Sequence, residues 1–389
     1  MEENNTKTIQ EEYINSKCPN CGSELKFLPG TKKIKCISCD SEFDIQSLGT
    51  GKLDDEEVNY LDTLKKIQNA AITHQKQRTI HCQDCGGLIL LNERTVSVQC
   101  PFCGSNRVVV EDKENEIIKI NGIVPFLLNE NDVKKQFHLW IKKKFFAPKK
   151  FKKGQLHPSY SAFYIPFYTF DAKTDSNYTG YRGDYYYTTR TVHTKNGTKV
   201  VSERHTRWTY RTGRIQIHFD DILINGTNNY LNQYVSKIAS YDFAKMEKFQ
   251  EKFLLGYYTE KPSISLEQGF ESAKTTMMEN IKIACIKDIG GDTYSNLNFK
   301  TNFSDVTFKQ IMAPIYNGHY TYKNKKYNFL CNGQNGKFVG NYPISTAKII
   351  VIVFLSLLVV ALVFLLFYFL FQDSNDDYFA IFNFLLMMR

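Results

Sequence analysis

Cys18-Pro-Asn-Cys21 with Cys36-Ile-Ser-Cys39, then Cys82-Gln-Asp-Cys85 with Cys100-Pro-Phe-Cys103, is the pattern that decides how this chain folds. Fourteen residues separate the two units of each set, so eight of the ten cysteines form two copies of C-x2-C-x14-C-x2-C. A C-x2-C on a tight knuckle turns two thiolates toward one point. A hairpin brings a second pair opposite and completes a tetrahedron around zinc. Gly22, Gly86 and Gly104 each follow a knuckle, where the backbone needs a permissive residue. Short alternating segments, Ile34-Lys35 and Val96 to Val98, precede the second knuckles. A disulfide framework would need an oxidising compartment, and thioredoxin-like chemistry uses one C-x-x-C beside a βαβ unit. The spacing predicts two zinc ribbons, residues 17–45 and 81–110, each holding one structural ion with no open position for water.

The opposite end of the chain sets its environment. Ile349 to Phe371 carries no charge, and only Ser356 and Tyr368 bring polar atoms. At about 1.5 Å per residue such a helix covers the roughly 30 Å hydrocarbon core of a bilayer. It is apolar all round, unlike the one-sided helix of a soluble core. The opening Met1-Glu-Glu-Asn-Asn does not resemble a signal peptide. Lys337 and Lys348 precede the span, whereas Asp373, Asp376 and Asp377 follow it. The positive-inside rule then predicts a single-pass plasma-membrane protein, its N-terminal body cytoplasmic and its short tail, 372–389, exported. The apolar piece Tyr378 to Met388 is too short to span and is expected in the interface.

Between these ends the composition is that of a folded body, with 24 Tyr and 29 Phe and a net charge of +9. The balance is −4 over residues 1–120 and +13 over the remainder. Residues 1–16 read as a disordered lead. Residues 46–80 read as a helical spacer, with the helix over Asp54 to Ile72 capped near Asp54. Glu111 to Glu116 reads as a charged linker into an α+β domain, 111–346, rich in antiparallel sheet. Asn131-Asp132 should cap a helix with Val133, Phe137, Ile141 and Phe145 every four residues. Around that stripe lie Lys134, Lys135, Lys142, Lys143, Lys144, Lys149, Lys150, Lys152 and Lys153, with no acid after Asp132. A solvated face is the plain reading of such a run. Attraction to anionic headgroups or to nucleic acid are the functional ones, and tethering near a bilayer favours headgroups.

Tyr160 to Phe170 reads as an aromatic strand, with Pro166 suggesting an edge or bulge. Asn196-Gly197 marks a hairpin, with Lys199 to Arg211 returning and Gly213 turning again into Arg214 to Phe219. His218, Asp220 and Asp221 could form a metal or acid–base cluster, but a strand end with a capped turn explains them better. Helices are expected over Tyr241 to Tyr257 and Leu266 to Ile286, the latter stopped by Gly290-Gly291-Asp292. Strands follow at Phe299 to Lys309, Ile311 to Tyr322 and Lys326 to Cys331, with a turn at Asn332 to Gly336. Cys285 and Cys331 read as buried thiols. No Ser–His–Asp arrangement, Walker loop or nucleotide fingerprint is present, so a non-enzymatic role is expected.

Several of these segments together resemble a family. The twin ribbons, Ile165-Pro-Phe-Tyr-Thr-Phe-Asp171, Tyr181-Arg-Gly-Asp-Tyr-Tyr-Tyr187 and Phe219-Asp-Asp221 contribute, as do Ile289-Gly-Gly-Asp292, Ala313-Pro314, Asn332 to Gly336 and the late span. They are similar to bacterial membrane-anchored double zinc-ribbon proteins, sometimes labelled helicase-like or as transcription-factor-type zinc ribbons. The resemblance implies membrane-stress association, with phage-shock-protein-A-like or stomatin/flotillin-like partners, and no catalysis. Neither ribbon is a basic patch, with five Lys against four acids in the first and two Arg against two acids in the second. A membrane adaptor that recruits a soluble partner is therefore expected, its ribbons at the far end of the body from the span. A membrane-tethered nucleic-acid-binding protein is the alternative.

Overall fold

The computed structural model describes residues 17–45, 57–68, 74–90, 99–116, 118–153, 158–194, 197–229 and 232–387. The fold is α+β. Strands β1 (Leu25–Leu28), β2 (Lys33–Cys36) and β3 (Glu42–Asp44) form an antiparallel meander carrying the first cysteine set. Strict alternation buries Leu25, Phe27, Ile34 and Cys36 on one face. After β4 (Val58–Asn59) and α1 (Tyr60–Gln68), the second set is framed by β5 (His74–Cys82), β6 (Leu88–Leu90) and β7 (Val108–Glu116). Strand β8 (Gly122–Ile123) leads to α2 (Glu130–Lys142) and α3 (Lys149–Lys153).

The body is built on three long strands. β9 (Ser159–Thr194) pairs antiparallel with β10 (Gly197–Asn225) on one side and with β13 (Thr293–Tyr322) on the other. Between β10 and β13 come α4 (Asn232–Ile238), β11 (Glu247–Lys248), β12 (Tyr258–Glu260) and α5 (Leu266–Ile289). β14 (Lys325–Asn332) and β15 (Phe338–Gly340) extend the sheet before α6 (Thr346–Met387). The 12-stranded sheet runs β11-β8-β13-β9-β12-β6-β5-β7, with β10, β14, β15 and β4 off that path.

Strand β9 is covered on both faces near its start. Phe163, Ile165 and Phe167 point into a core shared with the second ribbon. Tyr164 points the other way, into the core of the first ribbon, and Tyr168, Phe170 and Ala172 meet α5 on that same face. This is why the segment reads as an unbroken aromatic run instead of an alternating one. Helix α5 offers Leu266, Phe270, Ala273, Met277, Ile281, Cys285 and Ile289, all buried at helical spacing. Ser265 and Gln268 form its capping box, and Gly290, at φ 67°, ends it.

Several expectations need correction. Residues Tyr241 to Tyr257 are not a helix but two 3-10 turns, Phe243–Lys245 and Glu251–Leu254, flanking β11. Phe253 and Tyr257 pack on Phe27 of the first ribbon, and tertiary contact overrides helical propensity. Glu111 to Glu116 is no linker: it continues β7, in register with His74 to Thr79 of β5, a segment expected in the spacer. The spacer helix is α1 alone, with Asn59 accepting the Asp62 amide, while Asp54 and residues 69–73 lie outside the described residues. So do residues 1–16 and Val96 to Val98. Helix α2 is capped by Asn129 in a capping box with Asp132, and Phe145 falls beyond its end.

Pro166 sits in a central strand, where β9 exchanges β12 as neighbour for β10, so no ladder hydrogen bond is lost. Gly213 makes no turn. A Cβ there would stand 2.5 Å from the Tyr178 ring, so glycine lets the ring lie across β10. The two strands expected over Phe299 to Tyr322 are one, β13, kept continuous by bulges at Ser295/Asn298 and Ser304/Thr307.

Helix α6 is long and apolar enough to cross a membrane over Thr346–Tyr368, and none of that segment is buried. It does not stop near Phe371 but continues as one helix to Met387.

The second ribbon is not remote from this anchor. Asn317 donates to the Phe102 carbonyl at 2.6 Å, and three residues further along β13 the Tyr320 hydroxyl donates to Asn341 at 2.7 Å. Because Phe27 belongs to a core common to ribbon and body, Phe27→Ala should cost about 3–5 kcal/mol. Amide exchange should then quicken both in 25–36 and in 253–257. Faster exchange in the ribbon alone would show that the two cores are separate.

Candidate metal centres

Three of the four knuckles close by the same backbone bond. Gly22 N–H donates to Cys18 O at 2.8 Å, Gly86 to Cys82 at 2.9 Å and Gly104 to Cys100 at 2.7 Å. The three glycines have φ of 72° to 74°, and Asp40 takes the same left-handed place at 59° after Cys39. Pairing of β1 with β2 then sets the knuckles face to face. Sγ of Cys18 and Cys39 lie 3.6 Å apart, and those of Cys21 and Cys36 3.5 Å. In the second set Cys82–Cys103 and Cys85–Cys100 are both at 3.6 Å.

Within each set all four sulfurs lie within 4.8 Å of one another. A tetrahedral ion with thiolate bonds of about 2.3 Å needs sulfur–sulfur edges of about 3.8 Å, so both sets fit such an ion. All eight sequence-predicted cysteines are thus brought together as two groups of four.

The electrostatics ask for a cation. The hydrogen bond from Cys85 pulls the Cys100 thiol down to about 5, and the reciprocal bond pushes Cys85 far up. Hydrogen bonds from Ser41 lower Cys39 to about 6. Four thiols in contact cannot all ionise unless positive charge sits among them. Polar ties outside the second tetrahedron lock its knuckles: Arg107 reaches Asp84 at 2.8 Å, and Lys326 donates to Cys103 O at 3.0 Å. Phe102, inside the last knuckle, stacks on Phe163 of β9 with centroids 4.0 Å apart. Sequence reasoning missed this contact because its partner is distant in the chain.

A third group of possible ligands is Asp171, Asp220 and Asp221. His218 is exposed and takes no part in it. Asp220 and Asp221 form the bulge where β10 shifts register between Phe219 and Ile222, with Asp221 at φ 52°. Asp171 accepts the Asp221 N–H at 2.5 Å, so the buried carboxylate satisfies the amide that the bulge leaves over. Lys309, 3.3 Å from Glu57, already supplies positive charge there. The group is a bulge cap, and Asp171 could be found only through strand register.

The lysines lie along α2 and α3, and the connection between these helices, which carries Lys144, lies beside the start of α6. Lys134, Lys135, Lys142, Lys143, Lys149 and Lys150 are exposed, Lys144 and Lys152 half-buried, and the Lys153 side chain lies outside the described residues. Lys144 stands 5.0 Å over the Trp140 ring, and Lys152 donates to Lys142 O at 2.9 Å. Lys348, at the head of α6, donates to Phe145 O and Ala147 O at 2.6 and 2.8 Å. Phe145, 65% exposed, and Ile344 flank this junction. Cations beside exposed apolar groups suit a headgroup interface.

Comparison with known proteins adds length but no activity. The chain is similar to the uncharacterized protein YdjG of Bacillus subtilis (strain 168), at 24% identity over 341 residues, or 86% of this chain and 92% of that one. A match that long necessarily takes in the body as well as a ribbon. No family model and no solved structure matches.

Two outcomes follow. Burial pushes Asp171 up to about 6 from an ordinary 3.8, so the native state binds protons more tightly than the unfolded chain. That contribution is complete below about pH 4 and lost as pH rises through 6. Asp171→Asn keeps the acceptor, so its urea midpoint relative to the parent should rise between pH 5 and 7.5, where a constant difference would remove the linkage.

For the lysines, amides of 142–152 in the full chain should exchange more slowly in nanodiscs of anionic lipid than of neutral lipid. Salt, or Lys142, Lys143 and Lys150 changed to Gln, should abolish the difference, each Lys being worth about 1 kcal/mol. Equal exchange in both lipids would exclude a headgroup contact.

Proposed function

We propose that this chain is a non-enzymatic membrane adaptor. It holds two structural zinc ions, one per four-cysteine set, and recruits a soluble partner to the plasma membrane, in a membrane-stress response. The observation that carries the reading is the closure of both sites. Every tetrahedral position is filled by a thiolate fixed in a knuckle, and the knuckles form part of the body's cores. Such ions hold a surface in shape and leave no position for substrate. Lysines before α6 support a single pass with the body cytoplasmic, where thiolates remain reduced. Phage-shock-protein-A-like or stomatin/flotillin-like proteins are the partners that the family resemblance supports. Nucleic acid is the second reading, favoured by the overall charge of +9.

The purified full chain should hold about two zinc equivalents, since each closed tetrahedron takes one ion. A reporter fused after Arg389 should be active only if it works outside the membrane. A soluble protein should fractionate with membranes when the chain is present and not when it is deleted. If deletion moves no soluble protein, the adaptor reading fails. Filter binding to nucleic acid with steep salt dependence would put the second reading in its place.

A further inference from the structure

Pairing of β13 with β9 ends at Thr293 opposite Gly183, but β9 and β10 continue beyond it as a two-stranded arm. Among the described residues β10 pairs with β9 alone, so its other edge is open. Its register runs without a shift from Gly197 to Phe219, and no proline interrupts it. Natural edges are blunted by bulges, proline, short length or charged side chains, and over this stretch β10 has only the last, which select a partner of opposite charge. Such an edge is a template for an added strand.

Period-two alternation sorts the side chains of β10 by face, in the arm and just below it. Trp208 and Tyr210, 48% and 57% exposed, share one face. Arg207 and Arg211 share the other and, among the described residues, have no carboxylate partner. From Tyr181 to Arg214 there are eight Lys and Arg against two acids. Both acids are already paired, Asp184 with Arg182 at 2.8 Å and Glu203 with Arg190 at 2.7 Å.

We infer that the open edge of β10 from Lys199 to Arg211 docks an extended segment of a soluble protein whose residues alternate acidic and apolar. An added strand places successive side chains on opposite faces, so acids would meet Arg207 and Arg211 while apolar groups meet Trp208 and Tyr210. The inference rests on the adaptor reading and gives its partner a chemistry. A second copy of this chain is disfavoured, because paired arms would set arginine against arginine. Headgroups of the anchoring bilayer are disfavoured, since the strand from Ser159 to Gly183 has a contour of up to roughly 80 Å. Nucleic acid would need open stacking groups beside free cations, whereas Arg204 and Arg207 already stand over the Tyr185 and Tyr186 rings at 4.4 and 5.6 Å.

The test uses the full zinc-loaded chain in nanodiscs and labelled short peptides, one alternating Glu and Val, the other Lys and Val. The Glu–Val peptide should bind and slow amide exchange across 199–211, the mark of strand addition. Arg207→Glu with Arg211→Glu should weaken it about tenfold or more and create binding of the Lys–Val peptide. Unchanged exchange in α5 would show that the variant is folded, and Trp208→Ala should weaken both pairings. Absence of binding, binding without protection of 199–211, or indifference to charge reversal overturns the proposal, as does tighter binding of a thymidine oligonucleotide. If a soluble protein still follows the double variant to membranes, the arm is excluded as its docking site while the adaptor reading stands.

Discussion

The two-sided pairing of β9 is the constraint on which the rest of the structure depends. Side chains on a strand alternate, so a slip of one residue would exchange every group between faces. Here both faces are committed. Phe163, Ile165 and Phe167 serve the core of the second ribbon, while Tyr164 serves the first and Phe170 serves α5. Such a slip would remove both ribbons and the helix from their partners at once. Cover then thins along the strand. Ala172, Thr174, Ser176 and Tyr178 are buried on one face only, and past Gly183 the residues are half-buried or exposed. One strand thus passes from core to open surface without changing its backbone.

What could be read in the sequence was local. The cysteine spacing, the helix begun at Leu266, the return of β10 from Gly197 and the apolar helix each depend on residues near one another in the chain. Long-range packing was not legible. Tyr241 to Tyr257 has apolar residues enough for a helix, but Phe253 and Tyr257 are claimed by Phe27, more than two hundred residues earlier. Asp171 and Asp221 lie fifty residues apart and meet only because β9 and β10 pair. Strand length was hidden for a related reason. Bulges and glycines in β10 and β13 look like turns until a neighbour's ring or a leftover amide explains them.

The metal centres belong to the same argument. A four-thiolate site organises only a few residues directly, yet Cys18 and Cys36 lie in one core with Tyr164 and Tyr316, and Cys82 and Cys100 in another with Phe163 and Ile311. The sites therefore brace the covered end of β9 from opposite faces. In a free ribbon the binding energy of the ion is the folding energy of the ribbon; an ion bound here would also stabilise the junction with the body.

The arm follows a different logic. Among its described residues none is buried beyond Gly183, so its order comes from cross-strand pairs such as Tyr186 with His205, 5.4 Å apart. A two-stranded ribbon of that kind is marginal alone and is sustained by continuity with the sheet below it. The same continuity gives an added strand its leverage. Hydrogen bonds made along β10 would stabilise the arm against the unfolded chain and extend a sheet that is tied near the head of α6 by the Tyr320 hydroxyl donating to Asn341 O. Docking at the open edge and anchoring at the covered end would then act on one continuous set of strands, with no hinge required between them.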